Sequence, residues 1–263
     1  MSNIDFFLIA VFTDFNIGHR GNISAVLKLE EAISNEKMQL IAADLNQPAT
    51  TFIWKEADKW QIRWFAPDSE ILLCGHGSMA ATAYFELQNL PVPVFNFKNG
   101  AIAGKVIDNI AQIDIDRGTF SSAQPPDQLS KILGIPIIEY FETSDKSIVL
   151  TTSEEVLKNM EPDFAALKKL APFGYAVTAK GKTVDFVSRT LVPKVQQLED
   201  HATGSSHTVL VPFWAEKLDK KRFTAHQLSP RGGSFACSLN KERVTLKGQF
   251  ELIGSGVYCE INE

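Results

Sequence analysis

The stretch LLCGHGSMAATA, Leu72 to Ala83, sets Cys74 and His76 among glycines just ahead of a run of small and apolar residues. A thiol and an imidazole so placed raise three chemistries: metal ligation, acid–base or nucleophilic catalysis, and anion binding at a helix start. Zinc needs three or four ligands, and none of His19, His76, His201, His207 or His226 combines with Cys74 in a ligand spacing, so no metal site is expected. Cys74 alone reads as a small buried residue, because free cysteine is among the most buried residue types. Glycine before a helix lets backbone approach a ligand, and the first N–H groups of the helix lack partners within it. Gly75, Gly77 and Ser78 are therefore read as an anion cradle, with His76 at the ligand.

A second cradle of the same make follows in EDHATGSSH, where Gly204 and Ser205 open another helix-period run. His207 in that run is expected to pack or cap. Asp200, just ahead of the turn, could accept a hydrogen bond from His76 or from a substrate group, which would fix the imidazole tautomer and suit the pair to proton transfer.

Positioning these turns requires strands before them and helices after them, and the pattern supplies both. Short alternating or apolar strands dominate: FFLIAVF, TTFIWK, WQIRWF, PVFNF, AIAGKVI and AQIDID, then IPIIEYF, SIVLTT, FGYAVTA, TVDFVSRT, KRFTAHQ, SFACSL and GVYCEI. Helix periods are confined to about 30–44, 76–89, 153–170 and 204–218. The halves share their punctuation: a strand with Arg63 leads to the first glycine turn, and a strand with Arg189 leads to the second. A duplicated lobe follows, with the Pro-rich SSAQPPDQLS at 121–130 as the crossover. The expected lobes are 1–120 and 121–263, the extreme C-terminal strand being free to return to the first lobe, and two lobes predict a cleft between them.

With 44% hydrophobic and 22% charged residues and a formal net charge of -5, the chain has no basic surplus for phosphate backbones, so nucleic acid is not an expected partner. The N-terminal MSNIDFFLIAVF carries Asp5 and no Lys or Arg before its apolar run, and reads as a first strand rather than a signal peptide. No run of about 18 uncharged apolar residues suggests a membrane span. Three cysteines without CxxC spacing fit a reducing compartment, and a cytoplasmic protein is expected.

Five ordered blocks, VFTDFNIGHRGNISAV, MQLIAADLNQPATTFI, IRWFAPDSEILLCGHGSMAA, EDHATGSSHTVLVPFWAEKL and QLSPRGG, resemble the PhzF-like family of phenazine biosynthesis over nearly the whole chain. The resemblance implies an α+β fold like that of diaminopimelate epimerase: two pseudo-symmetric lobes, each a curled, mostly antiparallel sheet or barrel around a central helix, with the active site in the cleft. It implies no metal, no organic cofactor and, commonly, a homodimer. The family reaction is an isomerisation of dihydro-3-hydroxyanthranilate, a cyclic diene acid, by a proton shift. Carried over to this chain, His76 and Asp200 match polar active-site positions and are expected to be catalytic. Gly75, Gly204 and Ser205 match substrate-binding turns, and Asn22 of GNISAV matches a position near the cleft.

One departure matters. The family block reads Asn-Leu-Ser-Glu-Thr-Ala-Phe with the glutamate as general acid/base, whereas this chain has Asn46-Gln47-Pro48-Ala49-Thr50-Thr51-Phe52. Loss of such a group typically lowers a rate by ~10²–10⁴. Asp44 matches another acidic family position and is a weak substitute. A racemase needs a thiol on each face of the substrate; Cys74 matches the first position, but Thr203 occupies the second. The expectation is a cofactor-independent isomerase of a small carboxylic acid, its usual glutamate replaced by Ala49. The alternative is a catalytically silent small-acid-binding homologue, with a racemase behind both.

Overall fold

A computed structural model describes residues 3–259. They form two compact units, one of residues 3–13, 20–114 and 247–259, the other of Asp14–His19 and Ile115–Leu246. The division falls ahead of the Pro-rich 121–130 segment, and the chain returns to the first unit for its last described strand.

The first unit runs β1 (Asn3–Thr13), β2 (Asn22–Lys28), α1 (Asn35–Leu45), β3 (Ala49–Glu56), β4 (Lys59–Phe65), β5 (Glu70–Ile71), α2 (Gly75–Leu87), β6 (Val94–Phe97), β7 (Gly100–Ile107) and β8 (Ile110–Asp116). The second holds β9 (Phe120–Ser122), α3 (Leu129–Leu133), β10 (Glu139–Thr143), β11 (Lys146–Leu150), α4 (Glu154–Lys158), α5 (Phe164–Leu167), β12 (Gly174–Lys180), β13 (Phe186–Leu191), β14 (Glu199–Asp200), α6 (Gly204–Leu218), β15 (Arg222–Gln227) and β16 (Gly233–Asn240). The long β17 (Arg243–Cys259) starts in the second unit and ends in the first.

The two units repeat one topology. In the first, β1 pairs antiparallel with β2, β2 parallel with β3, β3 antiparallel with β4, β4 antiparallel with β5 and parallel with β6, and β6 antiparallel with β7. In the second, β10, β11, β12, β13, β14, β15 and β16 repeat these relations in the same order. Pairing of β7 with β8, β8 with β17 and β17 with β1 closes an eight-stranded barrel around the first set. The architecture is α+β, as the family resemblance implies.

Each unit holds one central helix, and composition explains why it can be central. From Gly75 to Phe85 every residue of α2 is buried, and from Gly204 to Trp214 all but Ser205 of α6 are buried, so neither helix shows a polar stripe. Such all-round burial marks a helix enclosed by a sheet. Ala80, Ala81 and Ala83 keep α2 thin enough for this, and it packs against β1, β2, β3 and β7. Pro212 inside α6 cannot donate to the carbonyl of Thr208; the N–H of Gly118 takes that carbonyl instead, at 3.0 Å. Only glycine fits there, since a Cβ at 118 would lie 2.5 Å from Val209 Cγ1.

Two differences from the sequence pattern have local causes. The 153–170 helix period is broken into α4 and α5, because Pro162 cannot continue a helix and Asp163 caps a new one by accepting from the N–H of Ala166 at 2.9 Å. Helix α1 starts at Asn35, not near 30, where Ser34 accepts from the N–H of Lys37 at 3.2 Å.

Candidate active site

In the first unit the predicted residues gather at the N-terminus of α2. Cys74 is the N-cap: its sulfur accepts from the N–H of Gly77 at 3.3 Å, and the Nδ1 of His76 lies 3.5 Å from the same sulfur. Cys74 is buried, as its residue type suggests, but its thiol is also part of the turn and holds the imidazole. His76 is 6% exposed and stands in the first turn. Ser78 donates its hydroxyl to the carbonyl of Cys74 at 2.7 Å, which locks the turn. Gly77 has to be glycine, since a Cβ would meet Trp64 Cδ1 at 2.6 Å and Thr51 Oγ1 at 2.7 Å.

That contact also locates Ala49. Side chains two apart on a strand share a face, so Ala49 points the way Thr51 does, toward the start of α2. Ser24, opposite Ala49 in the parallel register, donates to the carbonyl of Ala49 at 3.0 Å and lies 2.7 Å from Thr51 Oγ1. Position 49 is fully buried and apolar. Asp44 stands on α1, where it accepts the Tyr258 hydroxyl at 2.8 Å. Asn22, also fully buried, begins β2, and its Oδ1 accepts from the N–H of Ile23 at 3.1 Å.

In the second unit Gly204 and Ser205 open α6, and Asp200 stands on the short strand ahead of it. Asp200 lies on β14 opposite Thr190. The segment from Asp200 to Thr203 is fastened by two residues of β15 and the turn after it. Gln227 Nε2 donates to the Asp200 carbonyl at 2.6 Å and to Thr203 Oγ1 at 3.0 Å, while its Oε1 accepts from the N–H of Thr203 at 2.8 Å. Ser229 donates to the His201 carbonyl at 2.6 Å. Thr203, the N-cap residue, makes no side-chain cap bond. Ser205 is hydrogen-bonded by Lys146 Nζ at 3.2 Å. Ser206, by contrast, turns inward to the Thr203 carbonyl and Thr190.

His207 packs and caps. Its Nδ1 donates to the Thr203 carbonyl at 2.8 Å, and its ring stacks on Phe235 with centroids 3.9 Å apart. Full burial lowers its pKa to about 4, partly offset by that hydrogen bond, so the ring is neutral near pH 7.

The duplication extends to the ion pairs that brace each turn. Arg63 of β4 meets Glu70 of β5 at 2.8 Å, and Arg189 of β13 grips both oxygens of Glu199 on β14, also at 2.8 Å. Each pair ties a long strand to the short strand that delivers the chain to a central helix. Lys146 and Gln227 were not singled out by the sequence reading. The signal for Lys146 was a lone charge at the head of an otherwise uncharged strand, KSIVL. Among the described residues no group of three or more His, Cys, Asp or Glu side chains could hold a metal ion, and no helix is long and apolar enough to cross a membrane.

The sequence matches the family model described as phenazine biosynthesis-like protein, PhzC-PhzF, over residues 9–106 and 109–260. The chain belongs to this family. A relative from Pseudomonas aeruginosa, named an uncharacterized isomerase, is 38% identical over 239 residues, covering 90% of this chain and 92% of its own. A crystal structure of a PhzF family protein from Enterococcus faecalis has a TM-score of 0.90 at 32% identity, covering 98% of this chain and 100% of that one. A hydroxyproline epimerase from Agrobacterium vitis shares the fold alone, with a TM-score of 0.64 at 10% identity over 97% of this chain and 92% of that one. The two central helices of this chain start alike, each with a glycine at its first position and with Cys74 and Thr203 as their N-caps.

Proposed function

We propose that this PhzC-PhzF family member is a cofactor-independent isomerase that moves a proton between two carbons of a small unsaturated carboxylic acid. The observation that carries the reading is the imidazole of His76, nearly buried in the first turn of α2 and steadied by the Cys74 sulfur 3.5 Å away. With Ala49 in place of the family glutamate, His76 is the proton-carrying group at that turn. Neutral imidazole takes a proton from a carbon conjugated to the carboxylate; one C–H bond breaks and its electron pair enters the conjugated system. Imidazolium then returns the proton to another carbon, forming a new C–H bond, so atoms and electrons balance without an external oxidant or base. Cys74 acts as a positioning residue for the ring. In the first unit Asn22, Gly75, Gly77 and Ser78 bind the acid, and in the second Gly204 and Ser205 do so, with Asp200 as the polar catalytic group that the family resemblance implies. The naming of relatives as isomerases supports the reaction class, the family resemblance supports a homodimer, and three cysteines without CxxC spacing support a reducing compartment such as the cytoplasm.

The buried alanine side chain at position 49, which carries no proton, favours a second reading, a silent small-acid-binding protein that keeps both turns and transfers no proton. Solvent-deuterium incorporation into a panel of cyclic and unsaturated acids, followed by NMR, separates the two. Deuterium appearing at carbon supports the isomerase; saturable binding with no exchange overturns it in favour of the binder.

A further inference from the structure

Strand β11 begins with a charge that packing alone does not call for. The Lys146 side chain is only 8% exposed, and its ammonium is ion-paired with Asp145 and donates to Ser205 Oγ at 3.2 Å. An ammonium has three donors, and among the described residues the third has no hydrogen-bond acceptor, only the face of Phe173 5.8 Å from the nitrogen. Burying an ammonium costs several kcal/mol unless it is fully paired, and Asp145 is half exposed, which weakens its compensation. An apolar residue would fill the same place at the head of KSIVL without that cost.

The register shows that the place itself is special. Lys146 stands opposite Gly174, the first residue of β12, as Ser24 stands opposite Ala49, the first residue of β3. The Ser24 hydroxyl is consumed by its own unit, through Ala49 and Thr51. The Lys146 ammonium instead reaches the first turn of α6. Gly174 makes room for its stem, since a Cβ there would lie 3.3 Å from Lys146 Cγ and 2.6 Å from the Leu191 carbonyl.

We propose that Lys146 is the carboxylate anchor of the second unit, resting on the small-acid reading above. Its third N–H, the Ser205 hydroxyl and the N–H groups at the start of α6 together grip one carboxylate of the acid. The site thereby selects a free carboxylate over its ester or amide, because a full positive charge rewards an anion and gains little from a neutral carbonyl.

The test uses the full chain with cyclohex-1-ene-1-carboxylate and 3-hydroxyanthranilate as probes, each beside its primary amide, in calorimetric titrations. Lys146→Met is expected to weaken binding of both acids at least tenfold and to leave the weak amide binding unchanged. Lys146→Arg, which keeps the charge, is expected to recover most of the acid affinity, and Lys146→Gln serves if the Met variant does not fold. A folded Met or Gln variant that binds the acids like the wild type, while the wild type still exchanges deuterium into its acid, overturns the anchor and leaves the isomerase reading standing. Failure of the wild type to bind or exchange either acid overturns both.

Discussion

Protonation of His207 tests the packing around the second central helix. The ring is fully buried, bonded through Nδ1 to the carbonyl of Thr203, stacked on Phe235, and its Nε2 has no hydrogen-bond partner among the described residues. Its pKa falls from 6.5 to about 4 on folding. The unfolded chain therefore binds the proton that the folded chain refuses, and stability rises with pH between those values and is lost as the pH falls through 6.5 toward 4. The difference of about two and a half pKa units corresponds to roughly 3 kcal/mol from this residue. His19, His201 and His226 are lowered in the same direction, chiefly by burial, and add to the slope. Urea unfolding followed by tryptophan fluorescence at pH 7, 6, 5 and 4.5 should show the midpoint falling steadily for the wild type. In a His207→Gln variant the fall should be shallower by most of that amount, whatever the variant's starting stability. Equal slopes for the two proteins would refute the argument that His207 stays neutral in the fold.

Gly77→Ala should destabilise the first unit by about 1–3 kcal/mol, since the added methyl must displace Trp64 and Thr51; an unchanged thermal midpoint would mean the turn is looser than described. Ala49→Glu puts a carboxylate on the face of β3 that meets the start of α2, and should raise deuterium exchange into an unsaturated cyclic acid above the wild-type rate. Pro48 is the physical risk in that experiment, because it restricts Gln47 and can misdirect the new side chain. An Ala49→Glu, Pro48→Ser double variant removes it, and if both variants fold, bind and exchange no faster than wild type, position 49 is not a proton-transfer position in this chain.

The two central helices were legible in the sequence because glycine starts, small residues and apolar runs coincide at 75 and 204, whereas the fold class came from the family resemblance. The final strand was less so. The alternation shows a strand only near GVYCEI, yet β17 runs unbroken from Arg243 to Cys259. Gly248 looks like a turn signal and is a close-approach position instead: a Cβ there would lie 2.7 Å from Phe12 Cδ1, where the β1–β17 register shifts and Phe12 itself has a φ of 61°. At the site, residue types within the glycine turns could be read directly. The roles of Gln227, Ser229 and Lys146 could not, because each acts on a segment distant in sequence, through hydrogen bonds that no local period encodes. Cys74 shows the opposite limit: its type announces burial but not that its sulfur caps α2 and touches His76.

The most direct test of the central claim is NMR-detected deuterium incorporation at the ring carbons of an unsaturated cyclic acid, comparing the wild type with His76→Gln at acid concentrations that saturate both. Proton transfer by His76 predicts exchange by the wild type and a fall of at least ~10²-fold in the variant, with the affinity for the acid little changed. Exchange that persists in a folded, acid-binding His76→Gln protein would contradict the account.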